Sequence, residues 1–292
     1  MARAGQAASH EGGWRLWMPL AAVALFAAFL LSPLSASWRN SLADDRPFAA
    51  AYARGKLIVA VPSQPAPILT VGHVDRSVRA PEAYSAALAE ALGRRAGLPV
   101  ELVLAEQADA RHAVQDGRAD VAIAGLAFSP DASVAFAPGN YASGRGVALV
   151  LRHGNIQDWR DLEGRSICAS RESPFAARAV HRYRAALQGF DRPLDALLAF
   201  QAGECAALVD DELVVRALLK QADWSYYRTL PGAVAPAPAF IASRGGDIAS
   251  AAFIERTVNG WRRERWFTTV RQDQATRLAF EMFNAQNDLY CH

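Results

Sequence analysis

Between Gly117 and Arg145 the sequence reads G-R-A-D-V-A-I-A-G-L-A-F-S-P-D-A-S-V-A-F-A-P-G-N-Y-A-S-G-R, and no other stretch restricts the fold as much. Gly117 closes a short amphipathic helix. Val121 to Leu126 is then an unbroken apolar run, which predicts a strand buried on both faces. Ser129-Pro130 reads as an N-cap followed by a first-turn proline, so a helix is expected where the strand stops. A strand running straight into a helix N-terminus leaves free backbone N–H groups at the carboxyl edge of a sheet, a place that suits anionic or polar small ligands. A second segment repeats the plan. Ser166 to Ser170 predicts a strand, and Ser173-Pro174 caps a helix expected to reach about Leu187 before Gly189 stops it. Two such junctions on two halves of one chain imply a ligand held between lobes.

The remaining pattern agrees with this plan. Lys56 to Val61 is a first buried strand, and Tyr84, Leu88 and Leu92 recur at helical spacing between Pro81 and Gly97. Val100 to Leu104 is a further strand, and Asp109 opens the helix that Gly117 ends. This alternation predicts a mostly parallel sheet flanked by helices. After Val147 to Leu151 it starts again, with helices at 174–187 and 195–202, a strand from Cys205 to Val209, and Asp210-Asp211-Glu212 opening another helix. An apolar strand near Ala239 to Ser243, a long amphipathic helix and an aromatic-rich tail complete the chain.

With 292 residues, 52% of them hydrophobic, the chain is long enough for two modest cores. A net charge of +2 and the absence of a basic stripe with interleaved aromatics argue against a nucleic-acid partner. Leu16 to Leu31 is apolar throughout, preceded by Arg3 and Arg15 and followed by Ser32-Pro33-Leu34-Ser35-Ala36-Ser37. That is the pattern of a secretory signal, with cleavage near Ala36 or Ser37 or retention as an anchor as the two outcomes. Either one places the bulk of the chain in the periplasm and limits membrane contact to the N-terminal segment. In that oxidising compartment Cys168 and Cys205, both in predicted strands of one lobe, stand either as a disulfide or as two buried thiols. The six histidines are scattered without metal-ligand spacing, so neither a metal nor a cofactor is expected.

Taken in series, K-L-I-V-A-V, L-A-E-A-L-G-R-R-A-G, A-V-Q-D-G-R-A-D-V-A-I-A-G-L, F-S-P-D, D-L-E-G-R-S-I-C-A-S and F-Q-A-G-E-C-A-A-L-V-D-D resemble the extracytoplasmic solute-binding proteins of polar-amino-acid ABC transporters, over roughly residues 54 to 266. The resemblance implies an α/β, two-lobed periplasmic-binding-protein-like fold (type II), each lobe a mostly parallel sheet flanked by helices, with two crossover strands as hinge. The expected division is a signal peptide or membrane anchor at 1–37, a linker at 38–53, a first lobe of 54–146 with 239–292, and a second lobe of 147–238. The implied function is capture of a small polar solute, an amino acid or related organic acid, by a monomer that serves an inner-membrane ABC permease.

Carried over position by position, the resemblance implies ligand contacts at Ser129, Ser173 and Asp211, with Asp210 as a register alternative for the acid that pairs with an α-amino group. Tyr84 and Phe128 are candidates to line the cleft, because the ring that usually follows the first strand is replaced by Ile68 after Pro67. The arginine that grips an α-carboxylate is Ala132 here. A charge-assisted hydrogen bond contributes about 1.5–3 kcal/mol, so an amino acid would bind about two orders of magnitude more weakly unless another cation stands in. Arg145 and Arg171 are the substitutes suggested by position. Two other roles remain open on this fold. One is a periplasmic enzyme resembling cyclohexadienyl dehydratases, with Glu172 or Asp211 as acid or base, and the other is a descendant that binds a protein partner instead of a solute.

Overall fold

A computed structural model of the chain describes residues 46–66, 78–130 and 133–290. The signal or anchor segment, residues 38–45 of the expected linker, Pro67, Ile68, Ala132 and Cys291 lie outside the described residues. Among the described residues no helix is long and apolar enough to cross a membrane.

The first sheet is built from β1 (Leu57–Val61), β4 (Val100–Leu104), β5 (Val121–Ala122), β6 (Val134–Asn140) and β12 (Phe240–Arg244). Its order is β4-β1-β5-β12-β6. β1 is parallel to both β4 and β5, and β12 runs antiparallel to β5 and β6. β2 (Ser63–Pro65) and β3 (Arg79–Pro81) form a separate antiparallel pair. The second sheet has the order β11-β7-β10-β8-β9. These strands are β7 (Gly146–Leu151), β8 (Ser166–Ser170), β9 (Ala186–Phe190), β10 (Ala207–Asp211) and β11 (Tyr227–Thr229). The chain passes from the first sheet to the second between β6 and β7 and returns between β11 and β12. The two crossings lie side by side: the Tyr141 N–H donates to Ala239 O at 2.9 Å, and Gly146 and Val234 bridge each other. Two sheets joined by paired crossings make a hinge between two lobes.

Both sheets are covered on both faces, which is why their central strands are continuous apolar runs. On the first sheet, α2 (Ala83–Ala96) and α7 (Ile248–Arg263) bury Leu88, Leu92, Ile254 and Trp261 against Leu57, Val59 and Val61. α3 (Gln107–Gln115) covers the other face through Ala110, Ala113 and Val114. On the second sheet, α4 (Pro174–Tyr183) packs Phe175 and Ala179 on one side. α5 (Pro193–Gln201) and α6 (Glu212–Leu218) pack Leu197, Phe200, Val215 and Leu218 on the other. Cys168 of β8 is disulfide-bonded to Cys205, just before β10, with a Cα–Cα distance of 5.6 Å.

Several expectations are corrected here. The run from Val121 to Leu126 pairs as a strand only at Val121–Ala122, because Gly125 turns the chain with a φ of +67°. No helix starts at Ser129-Pro130. Only a few residues separate Pro130 from β6, and the ladder of β6 with β12 takes the segment instead. The helix expected to reach Leu187 ends at Tyr183, where Arg184 turns left-handed and Ala186–Phe190 pairs in parallel with β8. Part of the expected linker is structured. α1 (Ala49–Arg54) packs on the first lobe, Phe48 is buried, and the Phe48 N–H donates to Ser250 Oγ at 2.6 Å.

The sequence groups all of residues 239–292 with the first lobe. The last helix, α8 (Trp266–Tyr290), starts on the first lobe, where Trp266 and Phe267 pack with Trp261, and its later part packs on the second. Its apolar positions Ala275, Leu278 and Met282, spaced by four or three residues, share one face and pack into the core beneath α5 and α6.

Candidate functional site

The site is built where the lobes meet. α2 starts beside the gap because Glu82 caps it, accepting the N–H groups of Tyr84 at 2.8 Å and Ser85 at 2.7 Å. This brings the Tyr84 hydroxyl within 3.4 Å of both Tyr141 O and Ser143 Oγ in the first crossing. Burial pushes the Tyr84 phenol up to about 12; the hydrogen bond to Ser143 and the charge of Arg271 act in the opposite direction. Tyr141 is buried as well, with its hydroxyl accepting from the Gly125 N–H at 2.8 Å.

From the second lobe, β10 ends at the gap in Asp210 and Asp211. Asp211 caps α6, its Oδ1 accepting the Leu213 N–H at 2.8 Å. Its Oδ2 accepts from Arg271 Nη1 at 2.7 Å. The two side chains are 11% and 16% exposed, so this ion pair is largely removed from water. Arg271 comes from α8, and the path of its guanidinium is open because residue 144 is glycine. A Cβ there would overlap the guanidinium and stand 3.0 Å from Asp211 Oδ2, and the φ of +101° also favours glycine. Arg271 Nε is buried without a hydrogen-bond partner. The neighbouring Asp210 carboxyl accepts the Asp211 N–H at 2.6 Å, yet burial, with the Asp211 charge adding to it, raises it to about 7.

The other sequence candidates are placed as follows. Ser173 caps α4, its Oγ accepting the Ala176 N–H at 3.2 Å. Ser129 is half-buried in the irregular segment after β5. Phe128 is 58% exposed and packs on Phe136 and Phe240, with ring centroids 5.6 and 5.8 Å away. The Arg145 side chain is 64% exposed, 3.7 Å from Glu212. That of Arg171 is 62% exposed and pairs with Asp191 at 3.2 Å. The arginine brought to Asp211 is therefore Arg271, which the sequence reading does not name. One signal for it exists: Arg271 lies four residues before Ala275 on the same stripe as Leu278 and Met282, a charge at a position whose helical partners are apolar. Between the lobes, Glu172 after β8 senses Glu106 before α3: burial and then the Glu106 charge raise its carboxyl, against the pull of Arg171. Among the described residues no group of His, Cys, Asp and Glu side chains comes together to hold a metal ion.

No protein-family model and no curated protein matches the sequence. Solved structures do match the fold. The amino-acid-binding protein AbpA from Streptococcus pneumoniae, bound to L-arginine, aligns with a TM-score of 0.54 at 18% identity, over 79% of this chain and 98% of that one. The fold is that of a two-lobed solute-binding protein. A variant of the arginine-binding protein of T. maritima aligns at 0.53 and 19% identity, over 79% of this chain and 98% of its own. The ancestral amino-acid-binding protein AncCDT-1, a precursor of cyclohexadienyl dehydratase, aligns at 0.53 and 18% identity, over 77% and 97%.

Proposed function

We propose that this protein is an extracytoplasmic solute-binding protein. It captures a small polar solute, an amino acid or related organic acid, between its lobes and delivers it to an inner-membrane ABC permease. In this reading it is a periplasmic monomer without enzymatic activity, tethered to the membrane if its N-terminal segment is not cleaved. The observation that carries the proposal is the meeting of Tyr84 from the first lobe, Ser143 and Gly144 from a crossing, and Asp211 from the second lobe at the carboxyl ends of the strands. Polar groups converging between hinged lobes suit a ligand that closes the hinge. Thermal unfolding of the protein with a panel of amino acids and small organic acids tests it. A bound solute at about 100 times its Kd adds about 2.7 kcal/mol of stability. No stabilisation by any panel member would overturn the proposal.

A second reading is elimination chemistry in the same gap, and Glu172 favours it as the candidate acid or base, since burial and the Glu106 charge raise its carboxyl. Turnover of prephenate or arogenate that disappears in Glu172→Gln is the result it requires.

A further inference from the structure

Asp211 is the buried acid of the gap, and in a protein that binds solutes there it is the natural partner of a ligand's ammonium group. Its carboxylate is already engaged on both oxygens, by the Leu213 N–H and by Arg271. Only 11% of its side chain remains exposed, and even a Cβ added at Gly144 would stand only 3.0 Å from Oδ2. With both oxygens engaged and little of the carboxylate open to solvent, a ligand ammonium has to compete with the guanidinium for it. That guanidinium is hard to displace, because α8 holds it in place through the fully buried Ala275 and Met282. A tethered group competes at a high effective concentration. Displacement would also leave the guanidinium, whose Nε already lacks a partner and whose side chain is only 16% exposed, without the carboxylate that neutralises it.

We infer that Arg271 sets the specificity of the interlobe site by occupying Asp211, so that the site takes small carboxylic acids without an ammonium group and turns away their α-amino counterparts. This rests on the solute-binding reading and names its ligand class. An oxo or hydroxy acid makes no demand on Asp211, and its negative charge lies near a guanidinium and the Tyr84 hydroxyl instead of an unpaired carboxylate. In the absence of Arg271 the balance reverses. Asp211 becomes a buried acid with no cation, and an ammonium group supplies one.

Calorimetric titration of the full chain with matched pairs differing only in the ammonium group tests this: alanine against pyruvate, glutamate against 2-oxoglutarate, and phenylalanine against phenylpyruvate. The wild-type protein is expected to bind at least one oxo acid about tenfold more tightly than its amino partner. Arg271→Gln reverses that order, and adding Asp211→Asn removes the gained amino-acid binding. A wild-type preference for the amino acid, or equal binding of both members, overturns the inference while leaving the solute-binding reading intact. So does an unchanged order in Arg271→Gln or in Arg271→Met, which keeps the aliphatic stem should the glutamine variant fold poorly. Absence of binding by wild type and variants alike overturns both. Binding of amino acids by the variants alone, with no oxo acid bound by the wild type, overturns the ligand class inferred here.

Discussion

The space that Gly144 leaves empty is filled by the guanidinium of Arg271. The two residues come from a crossing between the lobes and from the last helix, and their packing fixes where the Asp211 ion pair can sit. Gly144→Ala brings two costs: a left-handed backbone that disfavours a side chain, and a Cβ inside the guanidinium. The expected loss is about 2–4 kcal/mol in urea unfolding. In an Arg271→Ala background the overlap with the guanidinium disappears, leaving the backbone cost and the close approach to Asp211 Oδ2, so the same substitution costs less. Equal costs in both backgrounds would show that the glycine does not make room for the arginine.

Asp210 gives stability a pH dependence opposite to that of an ordinary salt-bridged carboxylate. Asp210 holds its proton to about 7 in the folded chain, against an ordinary value of 3.8. Between those two values the native state binds more protons than the unfolded one, so stability falls as pH rises and levels off above the higher value. Asp210→Asn keeps an oxygen for the Asp211 N–H and removes the charge. Allowing for the partial exposure of Asp210, the variant gains about 1–3 kcal/mol at pH 8 and nothing at pH 4. Denaturation midpoints across that range check it, and a variant no more stable than wild type at pH 8 contradicts it.

The Cys168–Cys205 disulfide closes a sequence separation of 37 within the second lobe. Replacing both cysteines by alanine should lower stability by about 2–4 kcal/mol, chiefly by freeing the unfolded chain. Amide exchange should rise along β8, β10 and α5 and stay unchanged in the first lobe. Loss of protection spread evenly over both lobes would mean that they unfold as one unit.

How much of this was legible in the sequence depended on the range of the interactions concerned. β1, β8 and β10 stand out because strands covered on both faces need apolar side chains throughout. β9 does not, since Ala186 and Leu187 are exposed on a sheet edge and Gln188-Gly189 carries no strand pattern. Ser129-Pro130 is a good local helix start that loses to pairing between β6 and β12, a contact across roughly a hundred residues. Of the groups that meet at the site, the sequence names Tyr84 and Asp211, each at the start of a helix it also identifies. Arg271 escapes because its partner is 60 residues away and it lies in what the sequence marks only as an aromatic-rich tail. The spacing of Arg271 to Ala275 carries the clue, but only the fold shows which lobe that face meets.

Glu106 and Glu172 link the approach of the lobes to pH. Each belongs to a different lobe, and the Glu172 carboxyl is raised by burial first and by the Glu106 charge second. Opening the lobes weakens the influence of Glu106 and moves Glu172 toward the ordinary carboxylate range. Proton uptake is therefore stronger with the lobes together, and linkage requires that falling pH favour that arrangement, in the interval just above the ordinary glutamate range. The effect is modest because Glu172 is largely exposed and salt screens its repulsion by Glu106. Small-angle scattering from pH 8 to pH 4.5 should show a radius of gyration that shrinks as Glu172 takes up its proton, more at low ionic strength than at high. Glu172→Gln should be compact at every pH and lose the transition. A radius that does not change with pH in the wild-type protein, or that changes equally in the variant, would remove this pair as the sensor.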